Sequence, residues 1–180
     1  MKRKENNYAY IDGANLYRGV FDMGWILDYS RFRIWLKERY GVSRAYIFIG
    51  LVQKYTDLYA MLQESGFTLI FKETIYDQNG KPKGNCDADL VLHVVRDVFE
   101  GKNDKSLIVS SDGDYASTIK FLKEKKKILV VLSPHPKNKC SILLKRTNVP
   151  ITYLSDFRQL LGPTKEKAPD GDGTSQGSFS

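Results

Sequence analysis

The chain alternates short runs of consecutive apolar residues with longer segments whose apolar residues recur every three or four positions. The runs are typical of strands buried on both faces, and the periodic segments are typical of helices with one buried face. This alternation predicts an α/β fold with a mostly parallel central sheet and helices on both faces. The predicted strands cover residues 8–11, 45–49, 67–71, 107–109, 128–132 and 151–153, and the predicted helices 15–23, 30–40, 56–65, 87–99, 115–126, 139–146 and 155–161.

Turn and cap residues divide these elements. Ser30 is a suitable cap for the second helix, and Gly66 is suited to end the third. The stretch 73–84 predicts a protruding loop or hairpin, because Asp77 to Gly80 has the composition of a tight turn. The regular spacing of apolar residues stops at Gly162. We therefore expect one domain over residues 1–161 and a disordered tail over 162–180.

Composition limits the classes of function. The 180 residues carry 28 Lys and Arg against 21 Asp and Glu, and the net charge of +7 favours polyanionic partners. Cys86 and Cys140 lie far apart, so a zinc site or a disulfide framework is not expected. There is no signal-like segment, and no apolar run approaches the roughly 20 residues of a membrane helix. These features predict a soluble cytoplasmic protein without a membrane partner.

Three acidic residues follow predicted strands. Asp12 ends the first strand, and Asp112 and Asp114 lie in the turn after the strand 107–109. In an open parallel sheet, ligands bind beyond the carboxyl ends of the strands. Asp112 and Asp114 are also placed to cap the next helix, which is the alternative interpretation. The intervening Gly113 favours a site, because it allows a turn that brings the two carboxylates together.

Helical phase separates two further acids. Asp87 shares a stripe with positions 91, 94 and 98, which are all Val, so it is expected to point toward the sheet. A carboxylate buried there is costly unless a cation satisfies it. Asp89 lies about 200° away, on a polar stripe that is expected to be solvated. The alternative for Asp87 is an N-cap role next to Asn85.

The composition of this acidic set indicates its chemistry. Carboxylates grouped with few His or Cys suit Mg²⁺ or Mn²⁺ better than zinc. Such clusters activate water and stabilise the leaving oxygen in phosphoryl chemistry. Asn15, three residues after Asp12, is placed either to orient a water or phosphate oxygen, or to cap the first helix.

Three segments resemble the motifs of the NYN domain family, a branch of the PIN-like nucleases. They are Tyr10–Tyr17 (YIDGANLY), Lys83–Leu90 (KGNCDADL) and Ser110–Tyr115 (SSDGDY), and they occur in the family's order. The resemblance implies a PIN-like Rossmannoid fold and a Mg²⁺- or Mn²⁺-dependent ribonuclease. It implies that the metal-site acids are Asp12, Asp87, Asp112 and Asp114, with Asp89 at a further acidic position and Asn15 as an accompanying polar residue.

The chain departs from the family pattern at three positions. Ser111 stands where Gly is common, and Tyr115 stands where Phe is common; both changes look tolerable. His93 stands where many relatives have Asp, so metal affinity is expected to be weaker here if that Asp supports binding. An exposed hydrogen-bonding role is the other interpretation of His93, which shares a helical face with Asp89 and Asp97.

Substrate contacts are expected from loops near the same edge of the sheet. The loop after residue 132 carries His135, Lys137 and Lys139, and Lys83 precedes Asp87. Backbone contacts of this kind give affinity without sequence specificity. Ser110, which opens the third motif, is assigned to substrate binding as well. Three aromatic residues are candidate stacking platforms for single-stranded bases, although packing is the more common role: Tyr17, Trp25 and Tyr55.

Other enzyme classes fit the sequence poorly. A haloacid-dehalogenase-type phosphatase needs Asp two residues after Asp12, where this chain has Ala14. The phosphate-binding glycine motifs and the serine nucleophile elbow are absent. The remaining alternative is a non-catalytic module that binds RNA or a protein partner. The expected partner is RNA, single-stranded or structured; DNA and a homodimer stay open.

Overall fold

The computed structural model describes residues 5–72, 75–76, 82–83 and 86–164. Within these ranges six strands form one parallel sheet in the order β3-β2-β1-β6-β7-β8, which confirms the predicted fold class. A separate antiparallel pair, β4 and β5, confirms the predicted hairpin, although its turn at 77–80 lies outside the described residues. The strands are β1 Asn7–Asp12, β2 Val42–Gly50, β3 Thr68–Lys72, β4 Ile75–Tyr76, β5 Pro82–Lys83, β6 Ser106–Val109, β7 Ile128–Ser133 and β8 Ile151–Tyr153.

Helices cover both faces of the sheet. On β1, Ala9 and Ile11 join the core on one face while Tyr8 and Tyr10 join the core on the other, as strand alternation requires. Helices α1, α2, α3 and α7 pack on the first face, and α4, α5 and α6 pack on the second. Their bounds are α1 Gly13–Phe21, α2 Tyr29–Tyr40, α3 Thr56–Glu64, α4 Asp87–Phe99, α5 Ala116–Glu124, α6 Ile142–Lys145 and α7 Arg158–Leu161.

Two local predictions about helices need correction. The N-cap of α2 is Asp28, whose carboxylate accepts a hydrogen bond from the Arg31 backbone N–H, while the hydroxyl of Ser30 contacts Ser65 instead. The third helix does end before Gly66, which adopts a φ of +90° that favours glycine. Met61, expected to face inward from that helix, is 38% exposed because the buried side of α3 is centred on Tyr59 and Leu62.

Helix α4 has the predicted bounds, but its buried face is rotated from the predicted one. The most buried positions are Leu90, Val94 and Asp97, while Val91 and Val98 are only partly buried. Asp87 therefore lies at the margin of the buried face and is partly accessible. The prediction that Asp97 shares an exposed face with His93 is wrong, because Asp97 is 1% exposed and accepts a hydrogen bond from the Tyr10 hydroxyl.

The end of the domain packs against α2. Helix α7 ends at Leu161, and the carbonyl of Gly162 accepts a hydrogen bond from the Arg31 side chain. Residues 165–180, which make up most of the predicted tail, lie outside the described residues. Among the described helices, none has the length and apolar composition needed to cross a membrane.

Candidate metal centre

The acidic residues gather where the chain changes direction across the sheet. From β1 the chain proceeds outward to β2 and β3, then returns to β6 on the other side of β1. The carboxyl ends of β1 and β6 are therefore adjacent, and this switch in strand order is where open α/β sheets bind ligands. Asp12 ends β1, and Asp112 follows β6 by three residues.

Three carboxylates meet at this edge. Oxygen atoms of Asp87, Asp112 and Asp114 all lie within 4.8 Å of one another. Asp87 is the first residue of α4, while Asp112 caps a short 3-10 turn over Gly113–Tyr115 by accepting the Asp114 backbone N–H at 3.0 Å. The capping role that sequence analysis treated as an alternative is thus real, and it is compatible with the cluster. A Cβ on Gly113 would lie 2.5 Å from the Ser141 hydroxyl, so glycine permits this close turn.

Asp12 lies beside the three clustered acids and is nearly buried. It accepts hydrogen bonds from the Asn15 backbone N–H at 2.9 Å and from the Ser110 hydroxyl at 3.5 Å, and its Oδ2 lies 3.4 Å from the Tyr115 hydroxyl oxygen. Loss of hydration raises the pKa of Asp12, the negative charge of Asp87 raises it further, and the Asn15 N–H opposes the change. A carboxylate in this setting gains from a nearby cation.

The Tyr115 hydroxyl connects Asp12 to the cluster. It donates a hydrogen bond to Asp87 Oδ1 and lies 3.4 Å from Asp12 Oδ2. Burial and the charges of both acids raise the pKa of Tyr115, so the phenol keeps its proton and remains a donor. The family motif indicates only that Tyr stands at position 115, where Phe is common. The hydroxyl's role depends on contacts over 103 and 28 residues of sequence, which no local pattern contains.

Asn15 contacts the turn after β6. Its Oδ1 accepts hydrogen bonds from both the backbone N–H and the hydroxyl of Ser111, each at 2.9 Å. The oxygen is therefore committed to the protein, and the NH₂ group is the part of the side chain that remains for a ligand.

The loop after β7 opens on the same edge, where sequence analysis placed the substrate residues. His135 is half-buried and contacts Ser111, whereas Lys137 and Lys139 are exposed. Sequence analysis missed Arg18, an exposed residue of α1 whose charge lowers the pKa of both Asp12 and His135. The sequence signal for Arg18 is its position about one helical turn after Asn15, which places the two side chains on the same face of α1.

Several predicted site residues lie elsewhere or have other contacts. The Asp89 carboxylate forms an ion pair with Lys72 at 2.9 Å and is not one of the three clustered acids. Ser110 is fully buried between Asp12 and the Asp112 backbone N–H, so it supports the acids and is not available to substrate. The side chain of Lys83 lies outside the described residues, and Trp25 is a core residue at 7% exposed.

His93 packs against the sheet. Its ring meets the rings of Tyr46 and Phe48 edge-on, each at 5.4 Å, and its Nε2 lies 3.0 Å from the Arg96 guanidinium. Burial lowers the pKa of His93, and the charge of Arg96 lowers it further. The imidazole of His93 therefore packs mainly against aromatic side chains, whereas the sequence predicted an exposed hydrogen-bonding residue.

Comparisons with known proteins agree with this architecture. The chain is similar to a structurally characterised protein of unknown function from Vibrio parahaemolyticus, with a TM-score of 0.72 and 19% identity over 87% of this chain and 96% of the other. At that identity the similarity concerns the fold alone. A search of curated proteins finds no match. The family model described as NYN domain matches residues 8–154, which include every acid of the cluster, and the chain therefore belongs to the NYN domain family.

Proposed function

We propose that this protein is a ribonuclease that uses Mg²⁺ or Mn²⁺ to hydrolyse phosphodiester bonds of RNA. The observation that carries the proposal is the approach of Asp87, Asp112 and Asp114 to within 4.8 Å, with Asp12 linked to them through one hydroxyl. These acids come from three separate segments of the chain. Bringing like charges together costs free energy unless a ligand of opposite charge compensates them.

The donor set fits a hard divalent cation. The grouped atoms are carboxylate oxygens, which Mg²⁺ and Mn²⁺ prefer. Cys86 lies next to Asp87, but burial raises the pKa of its thiol to about 11, and the charge of Asp12 contributes. Without a bound metal, the thiol therefore stays protonated at neutral pH.

Each residue of the site has its own role in the proposed reaction. Asp87, Asp112 and Asp114 would hold the cation, with Asp12 beside them. When bound, the cation supplies an activated water and positive charge for the leaving oxygen. The Asn15 NH₂ group donates to the reacting phosphate or to the attacking water, because its oxygen is held by Ser111. Exposed cationic side chains bind the flanking phosphates: Arg18, Lys137 and Lys139.

The net charge of +7 supports a nucleic-acid substrate, and family membership supports RNA. We expect the protein to act in the cytoplasm, with single-stranded or structured RNA as substrate.

A cleavage assay tests the proposal. End-labelled single-stranded and hairpin RNAs, and DNA of the same sequences, are incubated with Mg²⁺, with Mn²⁺ or with EDTA. We expect cleavage of RNA with either ion, none with EDTA, and a loss of about 100-fold or more in Asp112→Asn. Asp57→Asn is the matched control, because it removes an exposed carboxylate from the first turn of α3.

The outcomes separate the candidate functions. Equal cleavage by wild type and Asp112→Asn, or cleavage that EDTA leaves unchanged, would contradict the proposal. RNA binding without any metal-dependent turnover would instead support a non-catalytic binding module. Faster cleavage of the DNA strands than of the RNA strands would reassign the substrate.

A further inference from the structure

The loop that follows β7 is seated directly on helix α1. A Cβ at Gly19 would lie 2.5 Å from the Pro134 Cβ and 3.0 Å from the His135 Nδ1. No side chain larger than hydrogen fits at position 19 without moving the loop. The loop and helix α1, which follows Asp12, are therefore in close contact near the acidic cluster.

His135 is held within the protein through its Nδ1 atom. Its Nδ1 is hydrogen-bonded to the Ser111 hydroxyl, and its Nε2 lies 3.8 Å from the Asp22 carboxylate. Burial lowers the pKa of His135, and the charge of Asp22 opposes this. With 16% of its side chain accessible and Nδ1 hydrogen-bonded to Ser111, the ring presents little to a substrate.

The hydrogen-bond chain continues from Ser111 to the acidic cluster. The single hydroxyl proton of Ser111 is donated to Asn15 Oδ1, so His135 must donate its Nδ1–H to the Ser111 oxygen. The Ser111 backbone N–H is a second donor to the same Asn15 oxygen. Asn15 in turn donates its backbone N–H to Asp12.

We propose that His135 and Ser111 are positioning residues that act through Asn15. By holding the Asn15 oxygen, they fix the direction of its NH₂ group beside the acidic cluster. This assigns His135 a role inside the protein in place of the substrate contact expected from sequence. The catalytic part of the proposal rests on the proposed function, but the fixed amide does not.

The first test needs no activity. In nuclear magnetic resonance spectra of the full chain, Asn15→Asp identifies the Asn15 side-chain NH₂ signals. We expect His135→Ala and Ser111→Ala each to shift and broaden those signals, because the amide loses its restraint. Lys120→Ala, an exposed residue of α5, is the control and should leave them in place. Unchanged Asn15 signals in both variants would overturn the proposal.

The second test separates positioning from substrate binding. With a labelled single-stranded RNA and Mn²⁺, we expect His135→Ala and Ser111→Ala each to lower kcat by about 10-fold, with KM nearly constant. The double variant should lose little more than either single variant, because both act through one amide. A higher KM at constant kcat in His135→Ala, or two losses that multiply, would contradict the proposal. If wild type cuts no RNA, the proposed function fails while the amide signals still test the positioning.

Discussion

Asp12 and Asp97 are two buried acids in opposite electrostatic settings. Asp12 is 9% exposed and Asp97 is 1% exposed, and each lies within 3.4 Å of a tyrosine hydroxyl. Asp97 also has two cations nearby, the Lys102 ammonium at 3.6 Å and the Arg96 guanidinium at 3.9 Å. In the described part of the chain, the hydrogen-bond donors to Asp12 are all uncharged, and the charge of Asp87 raises its pKa.

This difference separates a structural acid from one prepared for a ligand. The charge of Asp97 is balanced by side chains of the same fold, so it needs nothing from outside. The charge of Arg18 lowers the pKa of Asp12, but burial and the charge of Asp87 raise it, and Asp12 forms no ion pair among the described residues. Burial alone does not distinguish the two roles; the sign of the neighbouring charges does.

The largest effect is expected from removing the structural acid. Asp97→Ala should lower the free energy of unfolding by about 3 kcal/mol, because it leaves the fully buried Tyr10 hydroxyl without its acceptor and opens a small cavity. Urea unfolding followed by circular dichroism measures this loss. Asp57→Ala, an exposed control, should change stability by less than about 0.5 kcal/mol. A loss below 1 kcal/mol for Asp97→Ala would mean that the pair contributes little.

The next effect concerns the hydroxyl that joins Asp12 and Asp87. Tyr115→Phe keeps the buried ring but removes the donor, so we expect Mn²⁺ affinity to fall about 10-fold. Isothermal titration calorimetry measures the affinity. Tyr10→Phe is the matched control, since it removes the equivalent hydroxyl from Asp97 and should leave Mn²⁺ affinity unchanged. Equal affinities for Tyr115→Phe and wild type would show that the hydroxyl does not support the site.

A smaller effect, of opposite sign, is expected at Asp12. The fold raises the pKa of Asp12 above its ordinary value of 3.8. As the pH rises from 3.8 through the raised pKa, Asp12 loses its proton and the metal-free protein becomes less stable. At pH 7 and in EDTA, Asp12→Asn should therefore raise Tm by about 2–4 °C, and this gain should fade toward pH 4. Differential scanning fluorimetry measures both. The variant should also lose the Tm increase that Mn²⁺ gives the wild type. A lower Tm in EDTA would contradict the assignment.

The smallest effect is expected at Asp89, whose carboxylate is already paired with Lys72. Because both side chains are substantially exposed, Asp89→Asn should change stability by less than about 1 kcal/mol. Mn²⁺ affinity should stay close to that of wild type, since this acid resembles Asp97 in having its own cation. A fall in affinity as large as that of Tyr115→Phe would place Asp89 in the site after all.

Sequence patterns predicted the architecture because it depends on local periodicity. Helix α4 begins and ends at the predicted residues, and the six strands appear in the predicted segments. The motifs and helix phase placed Asp12, Asp87, Asp112 and Asp114 in one site, and three of them meet in the structure, while Asp12 lies outside that group of three. Phase along α4 was less reliable, because idealised angles placed Asp97 on the exposed side while tertiary packing with Tyr10 buries it.

The polar contacts that organise the centre were beyond sequence reasoning. Tyr115 and Ser111 each carry a hydroxyl that the common family residues, Phe and Gly, lack, and each hydroxyl finds partners far away in sequence. A motif records which side chain is present but not what lies opposite it in the fold. Ser110 is a different case. Its place in a motif indicated contact with substrate, but its side chain is buried and contacts Asp12 and the Asp112 backbone N–H.

The adjacency of β1 and β6 has a consequence for the timing of synthesis. The two strands join residues about 100 positions apart, as in the Ser110 contact to Asp12, which spans 98 residues. A nascent chain that has exposed only its first half carries Asp12 but neither Asp112 nor Asp114. The cluster forms only after the turn beyond β6 has left the ribosome and the long-range pairing has closed. On the proposed function, a nascent chain that has not yet exposed this turn cannot cut the messenger from which it is being read.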